Sequence, residues 1–296
     1  MNLNNKIGLG TVQFGLNYGI NNTAGQVNKD AARNIVNEYY KAVKPPVFDT
    51  AAAYGNSAEV LGEIFKELNI HSNSLIISKF PKKVTTVAQL KASFQNTIDK
   101  LQVKQLYAFM AHDANTVIEH PEIYSELIGY KRNGYIQKTG VSVYYPEQVQ
   151  WFISHKIQLD IIQIPYNIFD KRFGPFLEQF KNEGIEVHTR SAFLQGLFFK
   201  NINSLPSHFD LVKNKIVDIQ NIAKSINLSL NKLLLIFCLQ QKFIDKVIIG
   251  VDSEEHLHDN MITENDINKF NKIAAKIDFK EPVNDEIILP FNWPKS

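Results

Sequence analysis

Cysteine is nearly absent: the 296 residues contain one, Cys238. A single thiol excludes an internal disulfide framework and fits a reducing compartment, so a cytoplasmic location is expected. No charge of one sign dominates either. Lys and Arg number 32 against 30 Asp and Glu, a formal net charge of +2. That leaves no broad basic surface for a nucleic-acid backbone, and no such partner is expected. Long hydrophobic runs are missing too. The longest, Leu233 to Leu239, is far too short to span a bilayer and reads as one or two turns of buried helix. The opening residues, Met1 to Asn5, lack the apolar core of a secretory signal. No Pro-, Gly- or Ser-rich linker divides the chain, so one domain over 1–296 is expected. Metal-ligand spacing is lacking as well. His256 and His258 would point to different faces of a helix, which reads as solvated surface, and His112 and His120 have no partner at ligand distance in the sequence.

What remains is ordinary globular composition, 44% hydrophobic and 21% charged. A chain of this length exceeds the usual single core, so it needs two domains or one large closed barrel. Short runs rich in Val, Ile, Leu and Phe recur at 7–11, 47–50, 75–79, 106–112, 139–143, 161–165, 186–191 and 247–251, as expected of parallel strands buried on both faces. Between them lie stretches with helical spacing, at 30–43, 87–101, 121–133, 146–154, 175–182 and 212–241. Another holds Val60, Leu61, Ile64, Phe65 and Leu68 on one stripe, with Asn56 and Glu59 spaced as a capping box. Eight strands, each followed by helix, predict an α/β fold of the (β/α)₈ TIM-barrel type rather than an open doubly wound sheet. Gly8-Leu9-Gly10 matches a dinucleotide fingerprint only in part and leads into a Gly- and Asn-rich loop, so it is not read as one.

In such a barrel the site forms where strands end. The polar residues at those ends are Asp49, Lys79, His112, Ser142, Gln163, Arg190 and Ser191, with Gly250 after the last strand. Tyr54 follows Asp49 closely. A phenol is a poor acid at neutral pH. A nearby ammonium favours the phenolate, and a carboxylate holds that ammonium charged and in place. Asp49, Tyr54 and Lys79 thus suit a tyrosine tuned for general acid–base work, with His112 placed to bond a substrate oxygen.

The segment from Phe48 to Gly55, Ile77-Ser78-Lys79 and Ala111-His112 together resemble the Asp/Tyr/Lys/His tetrad of the aldo-keto reductases, and the likeness runs in order along nearly the whole chain. The resemblance implies Asp49, Tyr54, Lys79 and His112 as catalytic residues and a nicotinamide cofactor, NADP(H) by family habit with NAD(H) as the alternative. Gly140-Val141-Ser142 and the segment from Gln163 to Asn167 are similar to the family's nicotinamide contacts, which implies that role for Ser142 and Gln163. It also places Gly10, Thr11, Arg190, Ser191, Gly250, Ser253, His256, Asp259 and Asn260 among the cofactor contacts. The stretches from Gly10 to Ile20 and from Arg190 to Leu197 resemble a bacterial branch associated with making surface polysaccharides. A small polar, sugar-derived carbonyl substrate follows as an expectation, with Asn167, Lys171, Arg172 and Arg190 near the mouth and a short C-terminal segment leaving the site open. A monomer or small homo-oligomer is expected.

The chain also departs from the family. Arg190 stands where an aromatic ring often stacks on the nicotinamide. Gly250 and His256 stand where Lys and Arg often hold a 2′-phosphate, and the loop from Gly250 to Asn260 contains no Lys or Arg. Weak cofactor discrimination is therefore expected, with NADP(H) gaining as pH falls through the histidine range. Two other readings compete: a non-catalytic nucleotide-binding subunit, which would have lost a tetrad residue, and a barrel lyase or isomerase, which would show a Gly-rich phosphate loop.

Overall fold

The computed structural model describes residues 2–20, 22, 25–277 and 282–294; the other positions of the expected 1–296 domain lie outside the described residues. Eight parallel strands close into a barrel in sequence order. They are β1 Ile7–Gly10, β2 Val47–Asp49, β3 Leu75–Phe80, β4 Leu106–Ala111, β5 Ile136–Ser142, β6 Ile161–Pro165, β7 Glu186–Arg190 and β8 Lys246–Gly250. Closure comes from β1 on β8, with Ile7 opposite Val247 and Gly10 opposite Gly250. The (β/α)₈ expectation is met, with small shifts. β5 begins at Ile136, three residues before the expected start, because Leu106 and Ala108 of β4 pair with Ile136 and Lys138. His112 falls just past β4, yet its amide still donates to Phe80 O at 3.0 Å.

Two apolar layers hold the barrel. The larger lies outside the strands, where helices such as Lys29–Ala42, Ser57–Leu68 and Val87–Leu101 pack their buried stripes. The smaller groups Val47, Ile77, Ala108, Met110, Ile161 and Ile248. Side chains alternate along a strand, so Val47 shares the barrel-facing side with Asp49, and Ile77 shares it with Lys79. An apolar plug thus sits directly beneath the charged end of the barrel. Cys238 is fully buried, its thiol within 3.4 Å of Tyr166 O, and burial raises its pKa.

Two local expectations fail for local reasons. The stretch 212–241 splits into helices Asp210–Ser225 and Leu230–Leu239, the second bent by 98° from the segment Ser207–Ser225. Asn227 takes a left-handed conformation between them, and Ser229 serves as the next N-cap residue. All seven residues of the run Leu233–Leu239 are buried. Among the described residues no single helix is long and apolar enough to cross a membrane. The capping box at Asn56 and Glu59 does not form. Asn56 accepts from Gln26 Nε2 at 2.8 Å, and Glu59 pairs with Lys100 at 2.9 Å, so both side chains are engaged elsewhere.

Candidate active site

A cleft of about 780 Å³ opens at the C-terminal end of the barrel. Asp49, Tyr54, His112, Gln163, Arg190 and Ser191 line it, together with Gly250, His256, Asp259 and Asn260 and with Gly10 and Thr11. Lys79 and Ser142 stand behind that surface, both buried. Ser253 is not among the lining residues. Its hydroxyl caps the helix Glu254–Asp259, accepting from the His256 amide at 3.1 Å.

The charged floor is built by neighbouring strands. Lys79 Nζ donates to Asp49 Oδ1 at 2.5 Å and to Thr50 O at 3.3 Å. Gln163 Nε2 donates to the other Asp49 oxygen at 2.9 Å. Asp49 is 2% exposed and Lys79 0%. Burial lowers the Lys79 pKa, and Asp49 opposes that shift.

Tyr54 is held over this floor by backbone. Ala52 N bonds Lys79 O at 3.0 Å, Tyr54 N bonds Ala51 O at 3.0 Å, and Ser57 N returns to Tyr54 O at 3.0 Å. Gly55 takes φ +56° to make the turn. Gly15, in the helical turn after β1, lies so close that a Cβ there would stand 1.8 Å from Tyr54 O. Thr11 reinforces the contact. Its hydroxyl bonds Asp49 O at 3.1 Å and Ser57 Oγ at 2.8 Å, so it braces the Tyr54 loop. The Tyr54 and His112 rings meet edge to face, centroids 5.6 Å apart, and Lys79 Nζ lies 5.5 Å from the Tyr54 centroid.

The electrostatics differ from expectation in one respect. The Tyr54 phenol is raised well above the ordinary tyrosine value, first by burial and then by the Asp49 carboxylate. A lysine that lowers the phenol pKa was expected, but here the Lys79 charge is matched by Asp49 at contact distance, and burial decides the sign. His112 is pushed down to about 4, by burial and then by Lys79, so its ring is neutral at physiological pH.

The expected substrate contacts are redistributed. Asn167 is fully buried and bonds Ser191 O at 3.0 Å and the Phe169 amide at 2.8 Å. Arg172 is held by Asp170 at 2.9 Å and Asp285 at 3.0 Å. Neither residue lines the cleft, nor does Lys171. None of the described C-terminal residues after Asn260 lines the cleft; the segment packs beside it. Phe291 packs on Tyr144 with centroids 5.4 Å apart, and Trp293 packs on Phe209 at 5.2 Å.

Sequence reasoning missed several lining residues: Gln13, Tyr18, Tyr144, Gln195, Asn231 and Asp252. Tyr144, two residues past the end of β5, was the one with a readable signal. Asp252 contacts the His256 ring. Among the described residues three buried side-chain oxygens have no hydrogen-bond partner, Gln13 Oε1, Ser78 Oγ and Ser142 Oγ; Gln13 lines the cleft, and Ser142 stands behind its surface. A carboxamide or ribose group could satisfy Gln13 Oε1 and Ser142 Oγ, which fits a nicotinamide nucleotide lying in the cleft.

The sequence profile of the aldo/keto reductase family matches residues 6–277. No curated protein matches the chain. Among solved structures, an aldo-keto reductase from Bacillus halodurans in its holo form has a TM-score of 0.69 at 18% identity, covering 90% of this chain and 91% of that one. A Pseudomonas aeruginosa protein described as an aldo-keto reductase has a TM-score of 0.63 at 21% identity, covering 86% and 88%. A thermostable aldo-keto reductase in complex with the inhibitor epalrestat has a TM-score of 0.64 at 20% identity, covering 90% and 94%. At these identities the structures establish a shared fold, while the profile match covers most of the chain. The protein belongs to the aldo-keto reductase family of nicotinamide-dependent oxidoreductases.

Proposed function

We propose that this protein reduces the carbonyl of a small polar substrate, with Tyr54 as the proton donor. The observation that carries the reading is the edge-to-face pair of Tyr54 and His112 at the cleft floor, directly over the buried Asp49–Lys79 pair. When bound, a nicotinamide nucleotide supplies the hydride. Ser142 and Gln13 would bond its polar groups, and the loop from Gly250 to Asn260 would hold its far end.

The raised Tyr54 pKa keeps the phenol protonated, which is the form needed to donate to a carbonyl oxygen. As the proton leaves, Lys79 stabilises the phenolate, and Asp49 keeps Lys79 charged. His112 is a neutral ring with an N–H to donate, so it orients the carbonyl without adding a second charge. All four residues of the family tetrad are present, which disfavours a purely regulatory subunit. Sugar aldehydes and keto-sugars are the substrates to try first, on the branch resemblance. The test is turnover of a generic aldehyde with NADPH or NADH, followed by nicotinamide absorbance. Cofactor binding without turnover of any carbonyl would favour the regulatory alternative.

The low His112 pKa has a direct consequence. The kcat/KM profile for reduction should be flat from about pH 7 to pH 5, because the ring stays neutral there. A fall centred near about 6.5, the ordinary imidazole value, would show that His112 titrates freely.

Cofactor choice is expected to be weak. The aligned loop offers no Lys or Arg to a 2′-phosphate, and the exposed His256 ring is already engaged by Asp252. His256→Arg should shift preference toward NADP(H) by roughly 1–3 kcal/mol, the size of a charged hydrogen bond. Dissociation constants for NADPH and NADH, measured on both proteins, decide this. A wild-type protein that prefers NADPH a thousandfold, unmoved by the substitution, would place phosphate recognition elsewhere.

A further inference from the structure

Among the described residues, Arg190 is a cation of the cleft lining that no carboxylate balances. Arg190 ends β7, and its guanidinium donates to Val143 O at 3.0 Å and to Ser191 Oγ at 3.5 Å. Its central carbon stands over the Tyr144 ring, 4.2 Å from the centroid. Among the described residues no carboxylate pairs with it. The other charges nearby are matched: Lys79 with Asp49, and Arg172 with Asp170 and Asp285. Asp49, Lys79 and Arg190 together leave one positive charge in excess at the reactive end of the cleft.

This is a costly arrangement unless something answers it. A partly buried guanidinium with N–H groups to spare is held ready for an anion. The Tyr144 ring and the bond to Val143 O hold the guanidinium in place, and its fork suits bidentate binding of a carboxylate or phosphate. Arg190 is also near the chemistry, since its positive field acts on both Tyr54 and His112. The loop expected to face the far part of the cofactor, from Gly250 to Asn260, extends from β8, which neighbours β7, and Arg190 reaches to the other side of β7, onto Tyr144 just past β5.

We propose that the natural carbonyl substrate carries an anionic group, a carboxylate or a phosphate ester, and that Arg190 receives it. The proposal rests on the reductase reading and narrows it to a class of substrate. The anionic group takes no part in the reaction; it orients the carbonyl toward Tyr54 and His112.

Matched pairs of probes test this on the full-length protein with NADPH. One pair is 4-carboxybenzaldehyde and benzaldehyde, the other glyceraldehyde 3-phosphate and glyceraldehyde. The anionic member of at least one pair should have a kcat/KM higher by about tenfold or more, chiefly through KM, with the preference shrinking as salt rises. Arg190→Met should bring that ratio close to one, and Arg190→Lys should keep part of it. A binding measurement needs no turnover: benzoate should bind the NADPH complex about tenfold more tightly than benzamide, read by nicotinamide fluorescence. A wild-type ratio near one in both pairs, together with equal binding of benzoate and benzamide, overturns the proposal. So does an Arg190→Met protein that keeps the ratio while losing NADPH affinity, because the guanidinium then serves the cofactor's phosphates. If neutral aldehydes turn over and depend on Tyr54 but the anionic preference is absent, only this proposal falls. If benzoate binds tightly through Arg190 but no carbonyl turns over, the anion site stands and the reductase reading falls.

Discussion

Tyr54→Phe is expected to lower kcat by at least about 10²–10⁴-fold, the usual contribution of a positioned general acid, while leaving NADPH affinity nearly unchanged. The substitution removes one oxygen and little packing. The ring still meets His112 edge to face, and the backbone bonds that hold the loop are untouched. Gly15 still fixes the height of the loop by its contact with Tyr54 O. A loss of rate with intact binding therefore isolates the proton, and single-turnover measurement with saturating cofactor reads it directly. A variant that retains more than about half of wild-type kcat would remove Tyr54 from the role, since general acid catalysis allows no such small factor.

Lys79→Met should be damaging twice over. It strands the Asp49 carboxylate, 2% exposed, with Gln163 as its remaining side-chain partner. Breaking a buried pair by removing one member costs about 3–5 kcal/mol, which lowers Tm by on the order of 10 °C in a chain of this size. It also removes the cation that stabilises the Tyr54 phenolate, so activity should fall severely, or its pH profile should move upward if some remains. The double variant Asp49→Asn with Lys79→Met separates the two effects. With both charges gone, much of the stability should return while activity stays low. If the double variant recovers activity together with stability, the lysine is structural. Thermal melts and pH–rate profiles on the three proteins provide the comparison.

The strand pattern was readable because each buried strand is a local run of apolar residues, and the residue closing the run is a local feature too. Asp49, Lys79 and His112 were legible for that reason. So was the barrel, since eight such runs alternating with helical stripes leave few alternatives. Less was legible where two candidate partners compete. Asn56 and Glu59 have the spacing of a capping box, but Gln26 and Lys100 reach them from other elements. The break after Ser225 was missed because the apolar spacing continues through it, and only the backbone of Asn227 turns the chain. Contacts across the mouth leave no mark in local sequence. Arg190 meets Tyr144 from a strand two places away in the barrel, and Tyr18 meets Gln195 across 177 positions. Burial explains the direction of the Tyr54 shift. The sequence placed Asp49 and Lys79 near the phenol, but only the fold shows how tightly they pair, at 2.5 Å, and how fully the phenol is buried.

The buried position of Cys238 makes the protein convenient for site-specific labelling. The thiolate is the nucleophile in alkylation, and this thiol is both enclosed and held in its protonated form. Maleimides and similar reagents should therefore leave the folded wild-type protein unmodified. A cysteine introduced at an exposed rim position such as Phe199 or Phe291 would then be the single reactive handle, and a dye attached there would report events at the cleft without first removing the native sulfur.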